Sequence, residues 1–194
     1  MAVPAWVSEL GIAAQLCIAV AAVYGEKIRG RLSKPRLQIG LPEGAGDREP
    51  RQVHRTIETA TCYRLHVRNT ARYSVAHEVQ VFITKIDRLE PTGQRQTEFS
   101  GMVPLAWQHQ APHSNTRNIG SSTVAAVDLL YVTADSIHLT PVEPAPIRLG
   151  DAMLGDQHFW ITVVARGLNA ESEPLRLEIQ RGGTPGKFAI SLTP

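Results

Sequence analysis

Residues 62–86, CYRLHVRNTARYSVAHEVQVFITKI, constrain the fold more than any other stretch. Tyr63, Leu65 and Val67 alternate with Arg64, His66 and Arg68, the period of two of a half-buried strand. Asn69-Thr70-Ala71 interrupts the pattern. A second run then sets Val79, Val81 and Ile83 against Gln80 and Thr84. Two such runs joined by a short polar link predict a β-hairpin at the centre of a β-sandwich. The pattern specifies a fold class and names neither substrate nor reaction.

Alternation returns along the chain. It marks strands at Leu37, Ile39 and Leu41, at Phe159–Ala165, at Leu175–Ile179 and at Phe188–Leu192, while Val124–Val132 reads as a strand apolar on both faces except at Asp128. Ile137 and Leu139 read as a short continuation of the Val124–Val132 run. Residues 42–52 read as a loop and 53–58 as a weak strand or extended arm. Residues 87–122 read as irregular: a polar loop over 87–101, an apolar patch at 102–107, then a polar tail. Residues 140–157 are a Pro- and Gly-rich connection. The expected fold is mainly β. It is an immunoglobulin-like antiparallel sandwich of about seven to nine strands over residues 35–194, with no helix after residue 34. A hydrophobic content of 43% supports one core, and 13 prolines and 15 glycines suit many short strands.

Residues 1–34 differ in kind. Pro4 to Tyr24, PAWVSELGIAAQLCIAVAAVY, is 21 residues with one charge, Glu9. As a helix it is about 31 Å long, close to the hydrocarbon thickness of a bilayer, and Trp6 and Tyr24 flank it as interfacial aromatics do. A transmembrane anchor is the first reading; a helix docked on the domain and a cleaved signal peptide are the others. Lys27, Arg29, Arg31, Lys34 and Arg36 follow directly and form a topology signal. Positive charge stays inside, so a single-pass protein of the cell membrane is expected, N-terminus out and domain cytoplasmic. Ser8, Gly11, Gln15, Ala19 and Ala22 recur at three- and four-residue steps. Their small and polar stripe suits self-association of the anchor.

The net charge of +2 and pI near 8.7 come from that juxtamembrane segment. The domain itself carries a slight excess of acid and lacks the basic face of a nucleic-acid-binding domain, so no nucleic-acid partner is expected. Cys17 and Cys62, one in the anchor and one in a strand, read as unpaired, as in a reducing compartment.

The segment YRLHVRNTARYSVAHEVQVFI resembles the strand-turn-strand of many bacterial immunoglobulin-like domains: an apolar strand, Asn-Thr-Gly, then Ala ahead of an alternating Val strand. Asn69 and Thr70 match, Ala71 stands at the glycine, and Ala76 lies one residue farther from its usual place. The whole chain is similar to uncharacterised bacterial proteins with one N-terminal span and a cytosolic immunoglobulin-like β-sandwich. That resemblance implies a fold and no activity.

No constellation for catalysis, a cofactor or a metal emerges. His109 and His113 are four apart, but Pro112 argues against the helix that would align them, and no cysteine or carboxylate completes a ligand set. The glycines of GGTPGK fall out of register for a phosphate loop, and no helix follows. Cys62 lacks an evident base and reads as a buried thiol. Asp128 interrupts an apolar strand, so it lies at an edge or is buried and paired. The expected function is a membrane-tethered binding module without catalytic activity, its partners the lipid bilayer and an unknown protein or its own copies. Trp107, with His109 and His113 in the loop from Met102 to Asn118, is the candidate contact surface; the other reading of Trp107 is a plug over one end of the sandwich. The alternative function is a ligand-gated membrane effector of the bacterial defence type, whose β-domain senses a small signal. A third class, a secreted or surface adhesive domain, requires the span to be cleaved or inverted.

Overall fold

The computed structural model describes residues 34–193 except 43–45, 54–55, 91, 109–114, 134–135, 143–152, 155–157 and 182–187, together with Gln15 and Tyr24. The described residues form two antiparallel sheets around one core, a β-sandwich. The first sheet contains β1 (Leu37–Gly40), β2 (Asp47–Val53), β3 (Thr56–Asn69), β7 (Val124–Val132), β8 (Ser136–Leu139) and β9 (Met153–Leu154). The second contains β4 (Ala76–Leu89), β5 (Arg95–Pro104), β6 (Arg117–Ile119), β10 (His158–Arg166), β11 (Leu175–Arg181) and β12 (Phe188–Leu192).

The two 14-residue strands β3 and β4 organise one sheet each. Along one edge β3 takes β2 and then β1, and along the other it takes β7. In the same way β4 takes β5 and β6 along one edge and β10 along the other. The sheets run β1-β3-β7-β8-β9 and β12-β11-β10-β4-β5. Leu65, Val67, Val127 and Leu129 of the first sheet face Val81, Ile83, Phe159, Ile161, Val163 and Leu177 of the second.

Two bulges set which side chains face that core. Thr162 pairs with Lys85 but Val163 pairs with Ile83, so Thr84 is an extra residue in β4. The bulge shifts the parity of the strand. Ile83 and Ile86 are both buried in the core, and Asp87 turns to the outer face. In β7 the extra residue is Leu129, because Tyr63 pairs with Leu130 and Arg64 with Asp128.

The structure corrects several expectations. The central pair of strands is not a hairpin, for β3 and β4 lie in different sheets. Alternation reports a buried face, which both strands have, and says nothing of which neighbour a strand pairs with. The link 70–75 crosses the roughly 10 Å between stacked sheets and is held by Asn69, whose side chain donates to Ser74 O at 2.7 Å. The expected loop at 42–52 contains β2, which pairs with β3 from Val53↔Thr56 to Asp47↔Cys62. The expected polar loop at 87–101 is the end of β4 and most of β5. An edge strand with water on both faces has no apolar alternation to reveal it, and β5 is exposed along most of its length. Ile137 and Leu139 belong to β8, which folds back on β7 with Leu139 opposite Leu130. Twelve strands are present among the described residues, beyond the seven to nine expected.

The expected anchor helix falls outside the described residues apart from Gln15 and Tyr24, both helical in backbone and exposed. Among the described residues no helix is long and apolar enough to cross a membrane.

Candidate interaction surface

The outer face of the second sheet carries the densest polar constellation. In β10, Phe159, Ile161 and Val163 point into the core, so His158, Trp160 and Thr162 point out. Register then aligns Thr97, Asp87, Trp160, Glu178 and Ser191 in one row across five strands.

Trp160 lies on this outer face yet is only 4% exposed. Polar side chains cover it. The Arg95 guanidinium sits 3.9 Å from the ring centroid and that of Arg176 at 5.9 Å. The His158 ring lies 4.3 Å away, tilted by 35°. Cations over an indole face are attracted by the ring quadrupole, the more so when water is excluded. The indole Nε1 is buried without a hydrogen-bond partner, and so are Nε of Arg88 and Nε of Arg176.

Asp87 is the negative centre beside the tryptophan. Its carboxylate accepts from the Thr97 hydroxyl at 2.7 Å and from the Lys85 ammonium at 2.8 Å, and Arg176 lies 3.5 Å away. Burial works to raise its pKa. The hydrogen bonds from Lys85 and Thr97, with the charges of Lys85 and Arg176, outweigh burial and hold the carboxyl below its ordinary range. Glu178 contacts His158 Nε2 and accepts from Gln180 Nε2 at 3.1 Å. The surface therefore offers both signs of charge around an arginine-capped tryptophan. It has the residue types that dominate protein-binding hot spots.

Trp107 is placed elsewhere. It is 2% exposed and belongs to the core, with Val103 and Leu105. Its Nε1 donates to Asn115 O at 3.1 Å, and its backbone bridges to Val127. Leu105 N donates to Val81 O at 2.8 Å and Gln108 N to Ala126 O at 3.0 Å. The segment thus leaves the second sheet and closes the side of the sandwich against β7. The ring is a plug, which corrects its reading as an exposed contact: Val103, Leu105 and Trp107 alternate, so all three point to one buried face. His109 and His113 lie outside the described residues. So do Ser8, Gly11, Ala19, Ala22, Lys27, Arg29 and Arg31; Lys34 and Arg36 are exposed.

Two further clusters were hidden in the sequence. Arg64, on the polar side of its strand, is only 8% exposed. Its Nε donates to Asp128 at 2.9 Å, its Nη1 to Asp47 at 2.5 Å and its Nη2 to Glu49. Burial alone works against the charge, but the Glu49 and Asp128 carboxylates outweigh it and hold the guanidinium more firmly protonated. Of the two readings of Asp128 the paired one holds: the carboxylate is half-buried against Arg64. At the turn between β7 and β8, Ser136 Oγ lies 2.8 Å from Thr133 Oγ1 and 2.5 Å from His138 Nε2, and the His138 ring stacks on Tyr131 at 4.7 Å. A serine beside a histidine suggests a nucleophile and base. Here Thr133 Oγ1 also accepts from Ser136 N at 3.1 Å, so the hydroxyls close the turn. The Cys62 thiol is buried. Among the described residues no group of three or more His, Cys, Asp or Glu could hold a metal ion.

Sequence reasoning missed Trp160 as a site residue. The signal was its parity: it alternates with Phe159 and Ile161, which places a tryptophan on a polar face. No protein-family model, curated protein or solved structure matches the chain.

Proposed function

We propose that the chain is a membrane-tethered, immunoglobulin-like β-sandwich that binds a protein partner through the outer face of its second sheet, without catalysis. The strand order supports the finer fold. Strands β1, β3 and β7 correspond to A, B and E of an immunoglobulin sheet, and β5, β4, β10 and β11 to C′, C, F and G of the facing one. Strand β8, which follows E, and β12, beyond G, are additions to that plan. The tether and its orientation, domain in the cytoplasm, are supported by the apolar span 4–24 and the basic residues after it.

The single observation that carries the binding role is Trp160. A tryptophan on an outer sheet face, capped by Arg95 at 3.9 Å, with its indole N–H unpartnered, is poor economy for a merely solvated face. A partner that displaces Arg95 from the ring would reach the anchor residue such interfaces use. The partner is another protein or a second copy of this chain.

Photo-crosslinking tests it. A photoreactive residue at Thr162 or Gln180 of the full chain should yield a discrete adduct in its native membranes, and the same residue at His66, on the first sheet's outer face, should not. An adduct of twice the chain mass identifies self-association. Arg95→Ala and Trp160→Phe should each change the yield by several-fold. Equal labelling from both sheets, or none from either, removes the surface from the account.

A further inference from the structure

One end of the sandwich is assembled from three links, 70–75, 120–123 and 167–174. Asn169 Nδ2 donates to Val75 O at 3.0 Å, Leu168 N to His77 O at 3.0 Å, and the Ser121 hydroxyl to Ala71 O at 2.9 Å. Gly167 packs so closely that a Cβ there would lie 2.6 Å from His77 O. The links are therefore a braced platform. The chain arrives at the same end, where Arg36 N donates to Asn69 Oδ1 at 3.1 Å and Thr70 N to Arg36 O at 2.8 Å.

This platform presents apolar side chains to water. Tyr73 is 73% exposed and Leu168 74%, and Val75 and Val124 are exposed beside them. Such residues gathered at loop tips mark a surface that something covers. Basic residues surround them: Lys34, Arg36, Arg68 and Arg72 are exposed, and the Arg72 guanidinium lies 5.6 Å from the Tyr73 ring. The exposed acids on the three links and on the strand ends beside them are Glu78, Glu173 and Glu171, the last bound by Arg166 at 2.6 Å.

We propose that this end docks on a bilayer surface rich in anionic headgroups, with Tyr73 and Leu168 at the headgroup level and Arg36, Arg68 and Arg72 facing the phosphates. The placement depends on the tethered reading above. From a span ending at Tyr24, residues 25–36 reach at most about 40 Å, so the end that receives them is the end held nearest the lipid. Aromatic rings favour the interface, and basic side chains are drawn to an anionic leaflet. A domain swinging free on its tether would hold no particular loops against lipid, so docking is a further claim than attachment.

Full-length protein is reconstituted in phosphatidylcholine vesicles with and without phosphatidylserine, floated, and examined by amide hydrogen exchange. Docking predicts exchange at least about fivefold slower over 70–75 and 167–174 with phosphatidylserine, unchanged elsewhere. Tyr73→Ser with Leu168→Ser should abolish that protection while β3 and β4 exchange as in the parent. If the protein floats on both vesicles but these loops exchange alike, docking is overturned and the tether stands. If it floats on neither, both are overturned. Flotation on phosphatidylserine alone, lost in the double variant, supports docking and removes the tether. Protection that follows protein concentration instead of phosphatidylserine assigns the patch to a second copy and overturns the proposal.

Discussion

The side-chain amide of Asn69 donates to the main-chain carbonyl of Ile119 at 3.2 Å, joining the end of β3 in one sheet to β6 in the other. Asn69 is fully buried; its amide also donates to Ser74 O, and its Oδ1 accepts from Arg36 N and Ala71 N, so both N–H donors and both lone pairs of the oxygen are used. One side chain therefore fixes the arrival of β1, the link between the sheets and the seam between them.

Replacing Asn69 by leucine leaves several backbone groups without partners. The expected loss is about 3 kcal/mol, read as a lower urea midpoint at unchanged slope for residues 34–194. Thr70→Val, at an exposed neighbour whose hydroxyl reaches Arg36 O at 3.3 Å, should cost under about 0.5 kcal/mol. Equal midpoints for the two variants would show that the amide is not the keystone.

Arg64 is held by three carboxylates from two strands. Arg64→Met removes the cation beside Asp128, whose side chain is 13% exposed, and should cost about 2–3 kcal/mol; the Asp47 contact faces water and adds little. Arg64→Lys should recover less than half of that, because an ammonium cannot reproduce the three-way fork. Full rescue by lysine in thermal unfolding would reduce the cluster to simple charge balance.

Asp87 ties the candidate surface to pH. Its folded pKa lies below the ordinary value of 3.8. Its contribution to stability is therefore complete above that value and is lost as pH falls through the lower, folded one. Asp87→Asn should be less stable than the parent at neutral pH, with the gap closing below about pH 4. A gap that stays constant down to pH 2 would mean that the carboxylate's charge is not what Lys85 and Arg176 recognise.

Much of the sandwich was legible because burial writes itself as alternation. Leu37 and Ile39, the Val79–Ile83 run, Phe159–Ala165 and Leu177–Ile179 all face the core as their parity requires. Pairing was not legible: β3 and β4 look like a hairpin because proximity in sequence and alternation carry no record of which sheet a strand joins. Strand β5 was invisible because neither of its faces is buried along most of its length. Arg64 and Trp160 were misjudged for a shared reason. A polar face can be buried by its own neighbours, and which neighbours those are depends on register, on the Leu129 and Thr84 bulges, and on strand β2, read as a loop. The plug role of Trp107 was open to a parity argument through Val103 and Leu105, across the proline between them.

The attachment of the domain to a membrane is the claim on which its setting depends, and carbonate extraction of membranes from cells making the full chain tests it most directly. Residues 1–194 should stay in the pellet at high pH, and a chain beginning at Lys34 should be found in the supernatant without detergent. Full-length protein in the supernatant would contradict that claim.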